Sequence, residues 1–91
     1  MNKVELIGVV AENSGVAKCN VEKVLDAFTE TVMDTVARDE KVQLVGFGGF
    51  YRARRAAKRG VNPRTGEQIS IPERHTPKFK ASTAFREKCN E

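Results

Sequence analysis

Nine of the chain's sixteen Lys and Arg residues fall between Tyr51 and Lys80: Arg52, Arg54, Arg55, Lys58, Arg59, Arg64, Arg74, Lys78 and Lys80. Only Glu67 and Glu73 oppose them, leaving that segment at +7, whereas residues 1–50 carry −3 and residues 81–91 are neutral. The whole-chain charge of +4 therefore conceals strong polarisation. Guanidinium and ammonium groups at this density do ionic rather than covalent chemistry, displacing the condensed counterions of a polyphosphate. A merely solvated charged hairpin is the bland alternative. It is disfavoured because so many like charges around Gly60-Val61-Asn62-Pro63-Arg64-Thr65-Gly66 repel one another unless a polyanion neutralises them.

Groups suited to covalent or metal chemistry are sparse. His75, Cys19 and Cys89 lack the close pairing of structural zinc ligands. No Ser-His-Asp, Cys-His or paired-carboxylate set can be assembled from one histidine and acids that mostly fall on helix faces. No catalytic residue, metal or cofactor is therefore expected, and an enzyme is the poorest reading. Gly46-Phe47-Gly48-Gly49 matches neither a Walker nor a dinucleotide pattern. Cys19 follows Lys18 near a helix start, a setting that can activate a thiol, but inert packing is the simpler role. Phe47, Phe50 and Phe79 invite base stacking, yet they sit among glycines and apolar residues, so core packing is expected.

The elements that must position the basic segment follow from periodicity. Asn2 caps a first helix with Glu5 three positions on, Leu6, Ile7, Val10 and Ala11 share a face, and Ser14-Gly15 stops it. A longer helix starts near Ala17, with Val21, Val24, Leu25, Phe28, Val32 and Val36 at steps of three and four. Val42-Gln43-Leu44 alternates as a short strand before a glycine turn. Phe50 to Arg59 reads as the outgoing strand of a long hairpin and Glu67 to Arg74 as its return. Gly60 to Gly66 form the tip, and Ile69 and Ile71 lie on one face. Arg54-Arg55 and Ala56-Ala57 suit an exposed twisted ribbon or a bulge, mobile without its ligand. Pro77 closes the return strand, and Ser82 or Thr83 opens a last helix carrying Ala84, Phe85 and Cys89.

At 91 residues the chain makes one domain at most: a helical part over about 1–40, sheet and arm over about 41–80, and a final helix over about 82–91. Such a unit sits near the lower limit of independent stability, so a partner subunit is expected, the two helices presenting more apolar face than a small sheet covers. Two thiols without a signal peptide read as reduced cysteines of a cytosolic protein, and no apolar run is long enough to span a bilayer.

Met1-Asn2-Lys3, Val42-Gln43-Leu44-Val45-Gly46-Phe47-Gly48, Asn62-Pro63-Arg64-Thr65-Gly66 and Pro77-x-Phe79 together resemble the HU and integration host factor family of bacterial nucleoid proteins. The resemblance runs over essentially the whole chain and implies an α+β intertwined homodimer, or a heterodimer with a paralogue. In such a dimer helices form the base, each subunit adds a small antiparallel sheet, and two protruding β-ribbon arms wrap the DNA minor groove. HU is itself among the standard examples of minor-groove architectural binders with apolar wedges. By that resemblance Pro63 is the wedge at the arm tip, Gly60 and Gly66 permit the turn, and Asn62 belongs to the tip motif. Arg55, Lys58, Arg59 and Arg64 line the arm, and Lys3, Arg74, Lys78 and Lys80 meet flanking DNA. Val61 and Thr83 stand where the family often has basic residues, and Cys19 and Cys89 are unusual for it. The implied function is sequence-tolerant binding, bending and compaction of double-stranded DNA in the cytoplasmic nucleoid, without small-molecule substrate or membrane. An integration-host-factor-like sequence preference and a general RNA or polyanion module are the alternatives.

Overall fold

The structure, a computed structural model, describes all residues from Met1 to Glu91. The chain is α+β, as expected: α1 (Lys3–Ser14), α2 (Lys18–Ala37), β1 (Val42–Leu44), β2 (Gly48–Arg55), β3 (Lys58–Val61), β4 (Gln68–Ile71), β5 (Arg74–Ala81) and α3 (Thr83–Cys89). Its internal contacts divide it into two compact units, Met1–Asp34 and Thr35–Glu91.

In the first unit, Asn2 holds an extended conformation and its side-chain oxygen accepts the Glu5 amide at 2.9 Å, satisfying one of the amides a helix start leaves unpaired. Gly15 ends α1 by donating its amide to the Ala11 carbonyl. Ile7, Ala11 and Val21 are buried together, with Leu25 half-buried against them. Val36, further along α2, is buried too and Val32 half-buried, whereas Leu6 and Val10 of α1 and Val24 and Phe28 of α2 stay exposed, so part of the apolar face that makes these helices amphipathic is left bare.

In the second unit β1, β2 and β5 form an antiparallel sheet in that order, and β3 pairs with β4 in a separate two-stranded ladder. The β1–β2 connection is a type II turn: Phe47 donates to the Leu44 carbonyl at 3.0 Å, and Gly46 at the third position takes φ 82°, which a side chain would oppose. Gly48 begins β2 for a different reason. A Cβ there would stand 2.6 Å from both the Lys80 carbonyl oxygen and the Phe79 ring. Phe79 crosses that bare backbone to meet Phe50 and Phe47, at centroid distances of 5.0 and 5.2 Å, while Phe85 lies 5.5 Å from Phe47. The aromatic residues therefore pack with one another, but Phe47 and Phe79 keep 43% and 41% of their surface exposed, so the expected core burial is not reached within one chain. Ser82 caps α3 by accepting the Phe85 amide.

The hairpin departs from the expected pair of continuous strands. Pairing runs to Arg55↔Arg74 and resumes at Lys58↔Ile71, leaving Ala56-Ala57 opposite Pro72-Glu73 with no residue gained or lost on either side. There is thus an interruption and not a bulge. Pro72 has no amide to donate, which breaks the ladder at that point. Pro77, expected to close the return strand, instead lies inside β5 opposite Arg52. It is tolerated because β5 is an edge strand, where a missing amide costs no ladder bond.

Candidate nucleic-acid interface

Directly opposed residues of an antiparallel pair share a face, and neighbours along a strand alternate. The pairs Arg55↔Arg74, Ala53↔Thr76, Tyr51↔Lys78 and Gly49↔Lys80 therefore set four cations on one face of the sheet, with Gln43 of β1 opposite Gly49. Phe50↔Phe79, Arg52↔Pro77 and Arg54↔His75 take the other face. The pleat sorts the basic residues by environment as well as direction. On the second face Arg52 Nε lies 3.7 Å from Asp39 Oδ1 and its Nη1 donates to the Ala37 carbonyl. Arg54 grips Glu73 with Nε–Oε1 at 2.8 Å and Nη2–Oε2 at 3.2 Å. Arg55, Arg74, Lys78 and Lys80 make no ion pair, and neither do Lys58, Arg59 and Arg64 on the arm.

Arg55 and Arg74 stand directly opposite one another with no acid between them, an arrangement that works against the free protein. At the end of the same sheet Lys41, Lys80 and Arg86 border an open concavity of about 680 Å³ with Gln43 and Thr83. Lys41, Gln43 and Arg86 were not among the residues expected to form the site. Only the strand register and the packing of α3 reveal them.

The arm tip is built by its own backbone. Asn62 and Glu67 close it through a 2.8 Å bond from the Asn62 amide to the Glu67 carbonyl, and the Gly66 amide returns to the Asn62 carbonyl at 2.8 Å. The Asn62 side chain accepts the Arg64 amide at 2.9 Å, an Asx turn that leaves Pro63 exposed at the apex. Gly66 supplies the positive φ of 71°, as expected of a turn glycine. Gly60, also assigned to the turn from the sequence, instead lies within β3 opposite Ile69. A Cβ there would come within 3.1 Å of Ile71, so its bareness makes room for the two isoleucines, which share a face as expected. Lys58 lies on that face and Arg59 on the opposite one, so the ribbon presents a cation on each side.

Lys3 belongs to the first unit, where its Nζ lies 2.5 Å from Asp26 Oδ1. The hydrogen bond to Asp26, and then the charge of that carboxylate, raise the Lys3 pKa above its usual 10.5. Cys19 and Cys89 are both free and exposed. No group of three or more His, Cys, Asp or Glu side chains is placed to hold a metal.

Residues 1–90 match the family described as bacterial DNA-binding protein. The DNA-binding protein HU of Thermotoga maritima is 49% identical over 88 residues, covering 97% of this chain and 98% of the relative. That of Clostridium pasteurianum is 49% identical over 90 residues, with 99% of each covered. Among solved structures, the Anabaena HU–DNA cocrystal structure superposes with a TM-score of 0.87 at 45% identity, covering 98% of this chain and 97% of that one. HU from Thermotoga maritima gives a TM-score of 0.69 at 36% identity over 98% of each chain. The chain belongs to the bacterial DNA-binding protein family, whose HU members it matches along almost its whole length.

Proposed function

We propose that the protein is a dimeric, sequence-tolerant architectural binder of double-stranded DNA that bends and compacts the duplex in the cytoplasmic nucleoid. The observation that carries this reading is the sorting of the cations. Acids neutralise Arg52 and Arg54 on one face, while seven cations of the other face and the arm are left without partners. The HU–DNA cocrystal relative makes duplex DNA the natural polyanion. Phosphate neutralisation then supplies most of the affinity. With four to six of these cations engaged per subunit, the logarithmic salt slope of a dimer is about −7 to −11 at 0.9 per phosphate.

The arm acts by shape. A ribbon with cations on both faces suits a groove walled by two phosphate strands, where guanidinium groups sense width more than base identity. Pro63, rigid and without an amide to leave unpaired, is the wedge that unstacks a base step. The few kcal/mol this costs are offset by the contacts a bent duplex makes with the sheet face. In this reading Asn62 and Gly66 hold the wedge in place, and Gln43, Lys41 and Arg86 join Arg74, Lys78 and Lys80 along the flanking duplex. Lys3 joins them after leaving Asp26.

Dimerisation follows from the surface left uncovered. The chain exposes 7783 Å², whereas a folded monomer of 10.1 kDa exposes about 5,300 Å². Part of the difference belongs to the arm, and the exposed apolar residues of α1 and α2, among them Leu6, Val10, Val24 and Phe28, are a surface for which a second copy provides the matching face. A competition assay tests the nucleic-acid class. Unlabelled duplexes of unrelated sequence should displace a bound duplex equally well and A-form RNA should not; equal competition by RNA would replace this reading with a general polyanion binder.

A further inference from the structure

Ala56-Ala57 and Pro72-Glu73 form a gap between two ladders with no strand pairing across it, the one place where the arm can swing without breaking β-structure. One side of that gap is tied down. Glu73, the residue after Pro72, turns its carboxylate back onto the last pairs of the rigid sheet and forks onto Arg54 of β2 at 2.8 and 3.2 Å. His75 of β5, directly opposite Arg54, brings Nε2 to 3.3 Å from the same Oε1. All three lie away from the face that gathers Arg55, Arg74, Lys78 and Lys80.

We infer that Glu73, held by Arg54 and His75, is a clasp on the hinge of the arm, a set of positioning residues that fix the direction in which the wedge leaves the sheet. The inference rests on the arm being the DNA-wrapping element. Its physical content is that a carboxylate tied at two points removes backbone freedom from the return strand where the ladder cannot. A duplex then meets an arm already partly ordered, and the ordering entropy lost on binding is smaller. The three groups are substantially exposed, at 65%, 40% and 42% of their side-chain surfaces for Arg54, Glu73 and His75, so the clasp is weak enough to release and is loosened by salt.

The test uses the full chain without DNA at low ionic strength, reading backbone amide order by nitrogen-15 relaxation at Lys58 and Ile71 beyond the gap, with Ala53 and Thr76 in the sheet as reference. Glu73→Gln and Arg54→Gln should each lower order at Lys58 and Ile71 below the wild-type value, toward or below the flexible level of about 0.6, leaving the reference amides unchanged near the rigid level of about 0.85. The double variant should be no looser than Glu73→Gln alone, because losing the carboxylate already releases both Arg54 and His75, and the exchange Arg54→Glu with Glu73→Arg should restore order. Unchanged order in the single variants, a double variant looser than Glu73→Gln, or no recovery on exchange would each overturn the clasp. The salt slope for duplex binding, measured on the same proteins, separates the two claims. A steep slope with an unaltered arm sinks the clasp alone, and no duplex binding by the wild-type protein sinks the DNA reading while leaving the arm measurement intact.

Discussion

Arg74→Gln should improve the free protein locally while weakening its grip on DNA. In the sheet Arg74 lies directly opposite Arg55, on a face without an acid, and like charges so placed cost about 0.2–1 kcal/mol. Removing one should slow exchange of the amides at that end of the ladder by about 1.4- to 5-fold, read by hydrogen exchange without DNA. On the duplex the same substitution deletes two phosphate contacts per dimer. The salt slope should become shallower by about 1.8, so that between 50 and 200 mM salt the wild-type protein loses about tenfold more affinity than the variant. Arg52→Gln is the matched control, because Arg52 already spends its charge on Asp39 on the opposite face and its loss should leave the slope unchanged. Fluorescence anisotropy titrations on one duplex at several salt concentrations give both numbers. A slope that responds to Arg52→Gln and not to Arg74→Gln would refute the assignment of faces.

Pro63→Ala should reduce the bend angle, measured by fluorescence energy transfer between the ends of a fixed duplex, more than it reduces affinity; an unchanged angle removes the wedge. Gly48→Ala should destabilise the fold by about 1–3 kcal/mol in urea denaturation, since its Cβ would stand 2.6 Å from the backbone oxygen of Lys80, which cannot move as a side chain would. Asp26→Asn should free Lys3 and tighten duplex binding at low salt, and unchanged binding would take Lys3 out of the interface. Because the folded-state pKa of Lys3 is raised, stabilisation by that pair is complete below the ordinary 10.5 and is lost as pH climbs through the raised value. Denaturation profiles at neutral pH should therefore carry no Lys3 component, and a loss should appear only in strong alkali.

Local chemistry was legible in the sequence. Asn2 and Ser82 cap the helices they precede, Gly46 and Gly66 mark turns that need positive φ, and α1 and α2 follow their apolar spacing. Harder to see was whatever depends on pairing between distant segments. Gly60 looks like a turn residue until β4 lays Ile69 and Ile71 beside it. Pro77 looks like a stop until β5 proves to be an edge. Pro72 did carry the signal for the ladder break, but a missing amide matters only once the residues opposite it are known. The same holds for the site. The density of charge was plain, yet separating Arg55 and Arg74 from Arg52 and Arg54 needs the register, because one step along a strand reverses the face.

The most direct measurement is binding to an intact duplex, the same duplex carrying a nick, and an intact duplex of unrelated sequence, each across a range of salt. A charged face that binds by neutralising phosphates on bent DNA requires a steep salt slope, similar affinity for the two intact sequences, and tighter binding where the nick makes bending easier. Strong preference for one intact sequence, or a flat salt response with no gain at the nick, would contradict it.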